Sequence, residues 1–239
     1  MLTQPSAVQA VAPMQSISLS GRSSPPPKAV FTEASPPGTN GQRILAVSDF
    51  TQTDPAWINA PYPFGRPGNT VGRIGCTVTT IANAFNSVAL QLGLPLRVTP
   101  LDVCNGTENF RALRRQVQTI DLLNTSGKPV PLGDTGSARV LIDFDVNKQI
   151  VETAASKPTL DRIREAIRSG HPVLVGIEPN GKGRRHTVLA YGVDAKGNIL
   201  VIDPDPHGKN PSKTTLSAVM QEWRATKLDM VVQINPKSK

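Results

Sequence analysis

Gly75-Cys76-Thr77-Val78-Thr79-Thr80-Ile81-Ala82 sets a cysteine directly before an apolar-periodic run. Val78, Ile81, Ala82, Phe85, Val88, Ala89 and Leu92 recur at helical spacing, and Gly93 closes the run. The stripe is broad, which predicts a central, mostly buried helix with Cys76 at its mouth. The unpaired N–H groups of a first turn stabilise negative charge. A thiol there, or beside a cationic His, drops from about 8.5 to roughly 3.5–7.5. Its thiolate is a nucleophile, and a catalytic thiolate needs a base and a group that orients the base.

Outward from Cys76 the chain divides into recognisable pieces. Upstream, residues 61–72 form a Pro/Gly loop that leads into the helix. Downstream, Thr107 is placed to cap a second helix over 107–121 with a basic face of Arg111, Arg114 and Arg115. Residues 140–151, with Asn147 between two apolar runs, read as a hairpin. A further helix is expected over 159–169, with Leu160, Ile163 and Ile167 inward and Gly170 ending it. The remainder is β-rich: Val173–Ile177, His186–Tyr191 and Ile199–Ile202 are strands, with a turn at 194–198. A short helix holding Leu216, Val219, Met220 and Trp223 precedes a last strand, Leu228–Ile234. Helices first and antiparallel strands later give an α+β fold, with the Cys-bearing helix packed on an antiparallel sheet.

Three other residues are candidates for the site. His186 opens a strand and Asp203 ends the next one, so antiparallel pairing can set them side by side. A carboxylate there fixes the imidazole tautomer and holds the ring toward the thiol. Gln52 is a candidate oxyanion donor, its amide acting with the Cys76 backbone N–H. Each has a plainer role: a structural His, a turn-initiating Asp before Pro204, a polar loop Gln. His171 and His207 compete with His186 on position alone.

Gln52-Thr53-Asp54-Pro55-Ala56-Trp57 followed by Val71-Gly72-Arg73-Ile74-Gly75-Cys76-Thr77-Val78-Thr79-Thr80 resembles the bacteriocin-processing (double-glycine) peptidase-like family of papain-like cysteine peptidases. Gly170-His171-Pro172-Val173 is similar to its Gly-x-Pro-Val strand, His186–Asp194 to its His strand, and Ile202-Asp203-Pro204 to its Asp-Pro. The likeness covers residues 48–234. It implies a papain-like fold in which Cys76 is the nucleophile, His186 the base and acid, Asp203 the orienter and Gln52 the oxyanion donor, with no cofactor or metal. Two departures bear on specificity: the basic lead Lys182-Gly183-Arg184-Arg185 and the long excursion 124–157.

Composition bounds the rest. The first 40 of the 239 residues are rich in Ser, Pro, Ala and Gln and carry only Arg22, Lys28 and Glu33 as charges. Such a segment buries too little apolar surface to order itself. We therefore expect an extended or disordered arm over 1–41, able to bind a protein assembly, and a peptidase domain over 42–239. A net charge of +8 favours an anionic partner. With aromatics at 4%, no basic stripe interleaved with stacking rings is present, which disfavours nucleic acid. Cys76 and Cys104 make neither a disulfide framework nor a zinc motif, and Cys104 reads as a small buried hydrophobe. No transmembrane run and no Sec-type leader is visible, so export by another route or association with a virion fits as well as any compartment. The expected activity is that of a cysteine peptidase or amidase acting through a thioester. Peptidoglycan of a bacterial wall is one candidate substrate. A secreted effector acting on host proteins, or a non-catalytic binding or virion structural module, are the alternatives.

Overall fold

The computed structural model describes residues 31–32, 41–62, 66–91, 98–105, 119–121, 141–144, 150–154, 157–179, 186–205 and 212–236. The elements are, in order, β1 (Phe31–Thr32), β2 (Arg43–Ile44), β3 (Val47–Ser48), α1 (Val71–Ile74), α2 (Cys76–Gln91), α3 (Pro100–Asn105), β4 (Thr119–Asp121), β5 (Leu141–Phe144) and β6 (Ile150–Ala154). Then come α4 (Lys157–Arg168), β7 (Val173–Pro179), β8 (His186–Val193), β9 (Ile199–Ile202), β10 (Lys213–Thr215), α5 (Leu216–Glu222) and β11 (Ala225–Pro236). Helices and an antiparallel sheet are mixed, consistent with the expected α+β fold.

The sheet runs β10-β9-β8-β7-β11-β5-β4, with β2 on the edge of β8 and β6 on β11. Its central strands obey the period of two. Leu174 of β7 and Leu189 of β8 face α2, where they meet Val78, Ile81, Phe85 and Val88. Val173, Val175, Ile177, Val188 and Ala190 point the other way, onto Ile163 and Ile167 of α4 and Leu216 and Val219 of α5. Both faces are therefore covered, and truncating a fully buried side chain such as Phe85 to Ala costs about 3–5 kcal/mol. A bulge between Ala190 and Gly192 breaks the β8–β9 register. The extra residue lets consecutive side chains, Ala190 and Tyr191, enter the same core.

Burial on α2 is continuous from Val78 to Ala89 and includes polar residues. Those residues replace the missing water. Asn83 accepts from Ser48 Oγ at 2.8 Å and Phe50 N at 3.0 Å, and donates to Phe50 O at 3.0 Å. Asn86 clasps the backbone of Val98, donating to its O at 2.9 Å and accepting from its N at 2.8 Å. Thr80 donates to Thr187 O at 2.9 Å. The helix is thus pinned to segments 48–50, 98 and the start of β8 by bonds that would each leave a buried orphan if cut.

Several expectations are met and some are corrected. α4 ends where expected: Gly170 has φ 91° and His171 N donates to Ala166 O at 2.9 Å, a left-handed C-terminal cap. The turn after β8 closes through Asp194, whose carboxylate accepts from Asn198 N at 2.8 Å. Residues 141–144 and 150–154 do not pair as the expected hairpin. Both strands pair with β11 instead, whose 12 residues are long enough to take β6 along Lys227–Val231 and β5 along Ile234–Pro236. Residues 119–121 are strand, paired with β5, not the end of a helix. Residues 106–118, with Thr107, Arg111, Arg114 and Arg115, lie outside the described residues, as do Leu92, Gly93 and the basic lead 182–185. Within the expected arm, Phe31 and Thr32 pair with Ser48 and Val47. Among the described residues no helix is long and apolar enough to cross a membrane.

Candidate active site

Gly75 sets the mouth of α2. Its N–H donates to Val71 O at 2.7 Å, ending α1, while its carbonyl accepts from Thr79 N at 3.0 Å, starting α2. A Cβ at Gly75 would lie 2.3 Å from Val71 O. Only glycine permits two helices to abut so closely, and the abutment makes Cys76 the first residue of α2. The first turn of α2 holds no acidic side chain. The anion that the helix dipole favours, by about 0.3–1 kcal/mol, is therefore the Cys76 thiolate itself.

The β8–β9 register brings the next two groups together. Leu189 pairs with Ile202 and Ala190 with Val201. One further step sets Asp203 opposite Val188, diagonal to His186 on the same face of the sheet. His186 Nε2 and Asp203 Oδ1 are 2.7 Å apart, both residues almost fully buried. Asp203 thereby takes Nε2, which leaves Nδ1 as the ring nitrogen in hydrogen-bonding contact with Cys76. Asp203 is itself fixed: its N–H donates to Ser212 O at 2.7 Å, and its Oδ1 accepts from Asp205 N at 2.8 Å.

Thr187 alternates to the face that meets α2. Its hydroxyl lies 3.2 Å from Thr77 Oγ1, which in turn lies 3.9 Å from Cys76 Sγ. Cys76 thus meets His186 across the end of β8, with α2 on one side of the sheet and α5 on the other. From α5 side, Trp223 stacks on the imidazole, ring centroids 4.2 Å apart and planes 16° from parallel.

Electrostatics follow from these contacts. Burial pushes the Cys76 thiol up, but the His186 hydrogen bond and charge, the Thr187 backbone and the Thr77 hydroxyl together bring it below 9.0. Burial also works against charge on His186; the hydrogen bonds to Asp203 and Cys76 and their charges outweigh it and raise the imidazole to about 9. For Asp203 burial is likewise opposed, by His186, the Asp205 N–H and Trp223, and the carboxyl falls below its usual value. The three directions agree with a thiolate–imidazolium pair held by a carboxylate.

Gln52 is reached by a separate route. Asp54 opens a turn, its carboxylate accepting from Ala56 N at 2.9 Å, and the Trp57 indole donates to Thr51 O at 2.7 Å. Gln52 N donates to Pro204 O at 2.7 Å, and Gln52 Nε2 donates to Gly72 O at 3.0 Å. Gln52 is thus tied by its backbone to the residue after Asp203 and by its side chain to α1, just before Cys76, with the second N–H of its amide left for another acceptor.

Of the competing histidines, His171 sits between α4 and β7 with its N–H on Ala166 O, away from Cys76, and His207 lies outside the described residues. Trp223, Thr77 and Thr187 were not singled out in the sequence. An aromatic following a helical apolar pattern and two threonines in β-rich or helical context carry no local sign of a site. Among the described residues no three His, Cys, Asp or Glu side chains are grouped to hold a metal ion.

No curated protein and no solved structure matches the chain. The model of the Peptidase_C39 like family matches residues 44–229, a span that takes in Gln52, Cys76, His186, Asp203 and Trp223. The chain therefore belongs to the Peptidase_C39 like family, which is a family of cysteine peptidases.

Proposed function

We propose that the protein hydrolyses a peptide or amide bond through a Cys76 thioester, in the papain-like manner. The observation that carries this reading is the buried His186–Asp203 pair, 2.7 Å apart, in contact with a cysteine at the first residue of α2. The Cys76 thiolate attacks the carbonyl carbon, and the oxyanion is received by the Gln52 amide and the Cys76 backbone N–H. His186, charged, gives its Nδ1 proton to the leaving amine as the C–N bond breaks. A water molecule then loses a proton to Nδ1 and attacks the thioester. The thiolate leaves and a carboxylic acid is released. Asp203 stays ionised throughout, holding the ring and stabilising its charged form.

For the substrate we favour the stem peptides of peptidoglycan, because a net charge of +8 suits an anionic wall. Purified sacculi are the test. Wild-type protein should release new amines and Cys76→Ala should release none. Cleavage of a host protein with sacculi untouched would support the effector reading instead, and full biological activity in Cys76→Ala would support a binding or virion structural module.

A further inference from the structure

The mechanism above leaves Trp223 unused, yet its ring is stacked directly on His186. Trp223 follows the last residue of α5, its N–H donating to Val219 O at 2.9 Å. Its indole covers the face of His186 and also interacts with the Asp203 carboxyl. His186 and Asp203 are 2% and 1% exposed, whereas Trp223 is partly exposed, so the indole is the outer cover of a buried pair.

The backbone holds that cover in place. Arg224, the next residue, has φ 51°, and it is the one non-glycine residue with positive φ among those described. A non-glycine side chain in the left-handed region crowds its own backbone and is strained. Here the strained residue turns the chain from α5 straight into β11, where Ala225 pairs with Pro179 of β7. Strain of this kind persists only where surroundings over-determine it, and it gathers at working sites.

We propose that Trp223 is a positioning residue for the Cys76–His186–Asp203 site: an indole plate that holds the imidazolium in one orientation and keeps water off its bond to Asp203. This rests on the reading under Proposed function. The face of an indole is electron-rich and attracts a planar cation laid against it. A hydrogen bond shielded from water is also electrostatically stronger than an open one. The charged groups around the ring are Asp203 after β9 and Cys76 on α2; Asp205 follows Asp203 by two residues, and Glu222 and Arg224 flank Trp223.

Two measurements test this without depending on turnover. The chain has two tryptophans, Trp57 and Trp223, so the emission of wild type minus that of Trp223→Phe isolates Trp223. A charged imidazolium in ring contact quenches indole emission, so this difference should rise as pH climbs through about 9 and His186 loses its proton. A flat difference overturns the stack. The second measurement is the pH profile of Cys76 alkylation by iodoacetamide. Trp223→Ala should slow it about tenfold at mildly acidic pH, whereas Trp223→Phe, which restores a flat ring, should stay within about threefold of wild type. A folded Trp223→Ala with the wild-type profile overturns the positioning role. A wild type whose Cys76 is itself unreactive overturns the thioester reading instead, and the emission arm then still decides the stack. Should Trp223→Ala fail to fold, Trp223→Leu takes its place with the same expected slowing.

Discussion

Cys76 and Cys104 are both free thiols on helices, and they are opposites. Cys104 lies within α3, 6% exposed among Val98, Val103 and the apolar face of α2. Burial alone acts on it and pushes the thiol up to about 12. Burial is also the largest influence on Cys76, yet there His186, Thr187 and Thr77 reverse the outcome. The difference teaches that burial makes a thiol inert and that particular partners make it reactive. Position one of a helix supplies part of that, and a cationic ring supplies more.

The largest expected effect comes from making Cys76 resemble Cys104. His186→Ala removes the cation and the acid–base group together, and kcat/KM should fall by roughly 10⁴-fold with Cys76 alkylation slowed in parallel. An active His186→Ala would break the comparison at its root. Gln52→Ala should lower kcat by about 10²–10³-fold while leaving Cys76 alkylation at its wild-type rate, because an oxyanion donor acts after the thiolate has formed. Slowed alkylation in that variant would show that Gln52 holds the site together rather than stabilising charge. The pH dependence divides the two groups in another way. Alkylation should fall as pH drops through the lowered Cys76 value and stay high in alkali. Hydrolysis should also fall as pH rises through about 9, where His186 can no longer protonate a leaving amine. Smallest is Cys104→Ala, which should cost about 1–2 kcal/mol in denaturant unfolding and leave kcat/KM unchanged.

The comparison also shows what a sequence can carry. The mouth of α2 was readable because a glycine, a cysteine and a period of 3.6 are local signals. That the strands of His186 and Asp203 are neighbours was readable from the short turn at Asp194–Asn198, but the one-residue shift at the Ala190–Gly192 bulge, which brings Asp203 to the face of His186, was not. Pairing over longer separations was not: residues 141–144 and 150–154 look like partners in sequence, yet β11, far downstream, takes both. Asn83 and Asn86 interrupt an otherwise apolar helix and give no sign that they bond segments 48–50 and 98. Trp223 has helical apolar spacing and was legible only as core. Its place on His186 is set by the end of α5 and the left-handed Arg224, a backbone feature that no residue type announces.

Site-resolved alkylation tests the central claim most directly. Native protein is treated with limiting iodoacetamide at mildly acidic pH, and each cysteine is followed by mass spectrometry. Cys76 should label readily while Cys104 stays unmodified until the protein is unfolded. Equal labelling of the two thiols would contradict an activated Cys76 and the thioester chemistry with it.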